Sequence, residues 1–183
     1  MPILEARAEL PKKEVAIVEN MLNDEFFPWY YMHSMTIDDV ENEGDGYFFF
    51  THTLYPRSSS STVQSQASSN ATPFFENIFR RFCKNFDVPV NIIYRASLNF
   101  ALPQNVTASI IHRDHDWDHK VFLLYLSHYP KSGTRIYDFD GKTVLKDTNG
   151  SFLNGVLFDG NPHSVTFPTE QNYKRLACIF TFN

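Results

Sequence analysis

Cysteine is scarce: Cys83 and Cys178 are the only two in 183 residues. Two thiols cannot build a disulfide framework or a four-thiolate zinc site, and each sits in an apolar pattern, so both are expected to be buried and free. Glycine is scarce too, at seven residues. None falls into G-x-G-x-x-G, G-x-x-x-x-G-K-[ST] or G-x-S-x-G, which removes dinucleotide, P-loop and hydrolase-elbow chemistries. Positive charge is in deficit, with Lys plus Arg at 16 against Asp plus Glu at 21. The resulting net charge of -5 argues against a grip on nucleic acid phosphates or an anionic membrane. Long apolar runs are missing as well. No segment reaches the roughly 18 residues of a membrane span, and Met1 to Glu19 carries charges throughout without the apolar core of a secretion signal. A single cytoplasmic domain over residues 1–183, with neither a nucleic acid nor a membrane partner, is the expectation.

Aromatic residues are plentiful, at 18 Phe, 9 Tyr and 2 Trp, a composition that suits pleated, half-buried surfaces. Residues 1–89 read as helices, one strand and a serine-rich loop. Val15, Ile17, Val18, Met21 and Leu22 recur at helical spacing behind Pro11, which predicts a helix over Lys12 to Asp24. A second helix starts at Thr72, expected to cap it. Phe74, Phe75, Ile78, Phe79, Phe82 and Phe86 form its apolar stripe, and Val88-Pro89 ends it. Trp29, Tyr30 and Tyr31 are expected to pack as core. Tyr47 to Tyr55 reads as a strand, and Arg57 to Asn70 as a mobile surface loop able to cover a pocket.

Residues 90–183 change character. Strand-like runs occur at Val90 to Phe100, Val106 to His112, Lys120 to Tyr129, Thr134 to Phe139, Gly155 to Phe158 and Arg175 to Phe182, with turns between them. The predicted class is α+β, mainly β: a double-sheet jelly roll whose N-terminal helices back one sheet.

The chemistry concentrates in Ile111-His112-Arg113-Asp114-His115-Asp116-Trp117-Asp118-His119. On a strand, residues i and i+2 share a face, so His112 and Asp114 can present an imidazole nitrogen and a carboxylate oxygen to one cation. A third ligand follows in Asp159-Gly160-Asn161-Pro162-His163, just after the apolar run Val156-Leu157-Phe158. Two histidines and one carboxylate with open positions on one side form the facial triad of a non-haem Fe(II) oxygenase. Arg175 begins the last apolar run, where its planar fork suits a carboxylate. Tyr94, Asn99 and Tyr125 lie on strands able to flank the site and to hydrogen-bond a co-substrate. His115 and His119 fall outside the same-face pair, in a segment that either contacts substrate or is a solvated connection.

Other readings compete. Asp114-His115-Asp116 or Asp116-Trp117-Asp118 could hold Mn2+ or Mg2+ in a nucleotide-sugar transferase, although the strand-rich C-terminal half lacks the alternating architecture those enzymes need. A non-catalytic jelly-roll binding or structural module with a structural metal would use the same residues.

The chain resembles the 2-oxoglutarate and Fe(II)-dependent dioxygenase superfamily, in particular its compact prolyl-hydroxylase-like members of phage and marine bacterial type. The resemblance rests on Phe27-Pro28-Trp29-Tyr30-Tyr31, Arg95-Ala96-Ser97-Leu98-Asn99, His112-Arg113-Asp114, Leu123-Leu124-Tyr125-Leu126, Ser132-Gly133-Thr134, Val156-Leu157-Phe158-Asp159-Gly160, His163 and Arg175, in that order. It implies a double-stranded β-helix, Fe(II) held by His112, Asp114 and His163, and 2-oxoglutarate with its distal carboxylate on Arg175. O2 would be the oxidant, succinate and CO2 the co-products, and a small molecule or peptide the substrate to be hydroxylated. The pattern departs from many members in Ser132-Gly133-Thr134, where two glycines are common, and in the extra histidines after Asp114.

Overall fold

The computed structural model describes residues 1–33, 47–128 and 131–183. A short strand β1 (Leu4–Arg7) precedes helix α1 (Lys12–Asn23), strands β2 (Tyr30–Met32) and β3 (Phe49–Tyr55), and helix α2 (Thr72–Asn85). Seven more strands follow: β4 (Ile93–Ala101), β5 (Lys120–Tyr125), β6 (Thr134–Tyr137), β7 (Val144–Asp147), β8 (Asn154–Asp159), β9 (His163–Val165) and β10 (Arg175–Phe182). They form a seven-stranded sheet in the order β1-β8-β5-β10-β4-β3-β2 and a three-stranded sheet in the order β7-β6-β9. The expected mainly-β class with two helices is what the chain adopts.

Alternation along the strands sorts the large sheet into two faces. Leu98 of β4, Phe122 and Leu124 of β5, Leu157 of β8, and Cys178, Phe180 and Phe182 of β10 join Phe75, Ile78, Phe79 and Phe82 of α2 in the main core. Phe79 stacks on Phe180 with centroids 4.4 Å apart and meets Phe182 edge-on at 4.8 Å. The opposite face, with Val121, Leu123, Tyr125, Val156, Phe158 and Ala177, packs on Ile136 of the small sheet. Helices therefore cover one face, and the second sheet covers the other.

Several local expectations are corrected. Thr72 is the first helical residue, not the cap: Ala71 occupies the cap position and the Thr72 hydroxyl donates to the Leu54 carbonyl. Ile17 is exposed, so the α1 stripe is narrower than its spacing suggested, with Val18 fully buried. Tyr30 and Tyr31 are exposed on an edge strand, and only Trp29 packs against the core. Val106 to His112 is not a continuous strand. It touches the small sheet through two isolated bridges, Ala108 to Thr166 and His112 to His163. The Lys120 run ends at Tyr125, and Tyr129 lies outside the described residues. Both cysteines are buried and free.

The serine-rich segment 57–70 is fastened rather than loose. Ser58 and Ser65 donate their amides to the Tyr94 and Ile93 carbonyls, and the Ser68 amide donates to Leu54. The Gln64 side-chain oxygen accepts the Ile93 amide at 2.7 Å, and the Tyr94 hydroxyl donates to the Ser61 carbonyl at 2.9 Å. Hydroxyls and amides here supply the partners that a regular strand would otherwise provide.

Candidate metal centre

His112 and His163 exchange both main-chain hydrogen bonds, at 3.0 and 2.9 Å, so the two imidazoles start from directly paired backbones. Each ring has one nitrogen engaged by its own segment. Nδ1 of His112 lies 3.2 Å from the Ile110 carbonyl and Nδ1 of His163 lies 2.9 Å from that of Asn161. A carbonyl can only accept, so both Nδ1 atoms carry the proton and both Nε2 atoms are left as lone-pair donors. Asp114 is buried, and its Oδ2 sits 3.6 Å from His163 Nε2. One donor atom from each of the three lies within 4.8 Å of the others, the only such cluster of three or more His, Cys, Asp or Glu among the described residues.

Two atoms bear on whether a metal fits. Oδ2 of Asp114 is buried with no hydrogen-bond partner, while Oδ1 lies 3.5 Å from the Arg95 guanidinium. A buried carboxylate oxygen without a donor is costly unless something else satisfies it. A divalent cation between Oδ2 and the two Nε2 atoms would do so, and His2Asp is a donor set that Fe(II) accepts. The charges agree. Burial pushes the Asp114 carboxyl upward, but His163, Arg95 and His112 outweigh that and hold its pKa well below the carboxylate range. Burial and the neighbouring His112 push His163 down to about 4, against the pull of Asp114, so its imidazole is neutral at pH 7.

The triad lines a cavity together with Arg95, Asn99, Thr134 and Arg175, and with the apolar side chains of Phe49, Leu123, Val165 and Ile179. Arg175 is only 2% exposed. Its Nη2 donates to Thr134 Oγ1 at 3.1 Å, its guanidinium lies 5.5 Å over the Tyr125 ring, and its Nε has no partner. Beneath it, the Tyr125 hydroxyl donates to Thr134 Oγ1 at 2.9 Å and contacts Thr148 Oγ1 at 2.6 Å. Gly133 makes this network possible: a Cβ there would sit 2.1 Å from the Thr148 carbonyl oxygen. Arg175 pairs with Ala101 and Arg95 with Thr181, so the two guanidinium-bearing positions mark opposite ends of the β4–β10 ladder.

The remaining candidates separate. Asn99 lines the cavity, and its Oδ1 is taken by the Thr51 hydroxyl at 2.9 Å, which leaves its amide N–H groups for a ligand. Tyr125 acts beneath Arg175. Tyr94 is not on the cavity wall; its ring packs against His115 and Trp117. His115 and His119 are buried rather than solvated. Nε2 of His115 bonds Thr181 Oγ1 at 2.8 Å, and Nδ1 of His119 bonds the Trp117 carbonyl at 2.7 Å. Asp116 and Asp118 are exposed, which leaves the Asp-x-Asp reading without a built site. Thr148 was not singled out from sequence, and Arg95 and Thr134 stood there only inside longer motifs, without a role of their own. The signal for Arg95 was present, because it alternates with the apolar Ala96, Leu98 and Phe100 on the opposite face of β4.

No family model matches the chain, and no curated protein matches it. Solved structures share its fold. An oxidoreductase of the 2OG-Fe(II) oxygenase family from Burkholderia pseudomallei superposes with a TM-score of 0.71 at 12% identity, covering 99% of this chain and 84% of that one. A prolyl-4-hydroxylase from Pseudomonas putida gives 0.61 at 13% identity over 99% and 92% of the two chains. AviO1 from Streptomyces viridochromogenes Tue57 gives 0.55 at 12% identity over 99% and 89%. Over nearly its whole length the chain has the fold of 2OG-Fe(II) oxygenase structures.

Proposed function

We propose that the chain is a non-haem Fe(II)- and 2-oxoglutarate-dependent dioxygenase that hydroxylates a small molecule or peptide. In this reading its two sheets form a double-stranded β-helix within one domain over residues 1–183. The observation that carries the reading is the buried, unpartnered Oδ2 of Asp114, facing two imidazoles whose other nitrogens are committed to carbonyls, in the cavity that also holds Arg175.

His112 Nε2, Asp114 Oδ2 and His163 Nε2 would hold the metal on one side, leaving the other side to ligands. Bound there, Fe(II) would supply the redox chemistry in which O2 and 2-oxoglutarate become succinate, CO2 and a hydroxyl group on the substrate. The protein's part is position and dryness. Arg175 offers its fork to the distal carboxylate of 2-oxoglutarate, and the Thr134 hydroxyl, held by the Tyr125 hydroxyl while Thr148 Oγ1 ties down the Thr134 main chain, fixes the angle of that fork. Asn99 offers amide protons further along the same wall. Phe49, Leu123, Val165 and Ile179 keep water from competing for these contacts.

The test is succinate formation from 2-oxoglutarate in air with added Fe(II), followed by mass spectrometry. Succinate should form only with Fe(II) and should vanish in His163→Ala. Wild-type protein that binds Fe(II) yet yields no succinate would instead favour a non-catalytic module with a structural metal.

A further inference from the structure

Arg95 is a charged side chain on a wall where neutral residues would pack, and the mechanism above gives it no task. Its contact with Asp114 Oδ1, at 3.5 Å, is long for a charge-assisted hydrogen bond, which is usually about 2.7–2.9 Å. The orientation of Asp114 has firmer supports. Arg57 Nη1 donates to the Asp114 main-chain carbonyl, and the reciprocal pairing of His112 with His163 fixes the backbone two residues earlier. Arg95 therefore contributes little to placement.

Its charge is a different matter. Arg95 stands on one oxygen of the carboxylate whose other oxygen is the metal-facing donor. A cation there opposes a dication arriving at Oδ2 and favours any anion that joins that dication, and both effects are strong where water is excluded. The residues on the cavity wall already carry two guanidinium charges, Arg95 and Arg175, against the single carboxylate of Asp114. The wall is cationic before a metal enters.

We propose that Arg95 is a charge-balancing residue, which weakens binding of the bare divalent metal and strengthens binding of the dicarboxylate that follows it. This rests on the metal and co-substrate reading above. By linkage, the dicarboxylate and the metal strengthen one another's binding by the same factor, while Arg95 shifts their separate constants in opposite directions.

The experiment titrates Co(II) into metal-free protein, following its visible absorption, and then titrates 2-oxoglutarate into the Co(II)-loaded protein. Neither step requires turnover. Arg95→Met should bind Co(II) about tenfold more tightly and 2-oxoglutarate about tenfold more weakly, and Arg95→Lys should keep both constants near wild type. Arg95→Gln serves as a second neutral variant if circular dichroism shows that Arg95→Met does not fold. A purely structural role would weaken both ligands together. Shifts in the same direction, no shift, or failure of Lys to preserve the wild-type constants overturns the proposal. His163→Ala separates the two levels. If it binds Co(II) as well as wild type, the metal reading falls and Arg95 falls with it. If it loses Co(II) while the Arg95 variants show no opposed shifts, only the charge-balancing role is refuted.

Discussion

Replacing Arg175 by Met should weaken 2-oxoglutarate binding while leaving the fold intact or firmer. The side chain is 2% exposed, and among the described residues no carboxylate is paired with it; its partners are neutral, Thr134 Oγ1 at 3.1 Å and Tyr125, whose ring lies 5.5 Å away and whose hydroxyl also interacts with the guanidinium. A buried cation with so little compensation costs the folded protein stability, and burial lowers the pKa of Arg175 accordingly. The same lack of compensation makes it a strong receptor for an incoming carboxylate. Removing it strands that carboxylate in a pocket with apolar walls, a loss on the order of 2–5 kcal/mol, or roughly thirtyfold to several thousandfold in affinity. Arg175→Lys keeps the charge without the fork and should fall between wild type and Met. Titrating 2-oxoglutarate into the anaerobic Fe(II) protein, following the metal-to-ligand charge-transfer band, gives the constants. A thermal melt of the metal-free variants gives the stability. An unchanged dissociation constant in Arg175→Met would remove Arg175 from the co-substrate site, and a large drop in melting temperature would show it to be a structural cation instead.

Further outcomes are expected. His112→Ala, Asp114→Ala and His163→Ala should each abolish Fe(II)-dependent turnover with circular dichroism unchanged, because the triad has no spare ligand. His115→Ala and His119→Ala should keep the metal, and loss of metal in His115→Ala alone would show the ligand register to be wrong. In metal-free protein, stability should fall as pH drops from about 6.5 toward 4. An unfolded histidine protonates near 6.5, whereas burial holds His163 down to about 4 and His115 to about 3, so the unfolded chain binds more protons across that window. The slope is at most about 1.4 kcal/mol per pH unit for each histidine; urea unfolding at pH 7, 6 and 5 measures it, and a flat profile would count against buried neutral imidazoles. Phe79→Ala, which removes the ring stacked on Phe180, should cost about 3–5 kcal/mol in urea unfolding without changing the Co(II) affinity.

The parts of this architecture that could be read in advance are those where one periodicity serves one purpose. β10 is apolar on both faces except for Arg175 and Thr181, and its limits coincide with the apolar run; α2 advertises its buried stripe through phenylalanines. His112, Asp114 and His163 were legible through the donor set that metal chemistry asks for, although His112 meets His163 through an isolated bridge and Asp114 lies off any strand. What failed did so for physical reasons. β1, β7 and β9 are three or four residues long, too short for a period to register. Serine content in 57–70 carries no hydrophobic signal, so a segment held by hydroxyl and amide bonds read as loose. Tyr30 and Tyr31 belong to an edge strand, where aromatic composition does not imply burial. Thr134 and Thr148 acquire meaning only when β6 and the residue that follows β7 bring their hydroxyls to that of Tyr125.

The reciprocal main-chain pairing of His112 and His163 also bears on how the chain is made. The two imidazoles are separated in sequence by β5 through β8, so no partial chain ending before His163 holds the complete ligand set. Closing that long loop carries an entropic cost that local hairpins do not. A metal that binds only the closed state then acts as a latch: at a free concentration a hundredfold above its dissociation constant it adds about 2.7 kcal/mol to the folded state by mass action. In the proposed reading, where iron is that metal, its supply would set the lifetime of the finished protein as well as its activity, and chains starved of it would open, and be degraded, more readily.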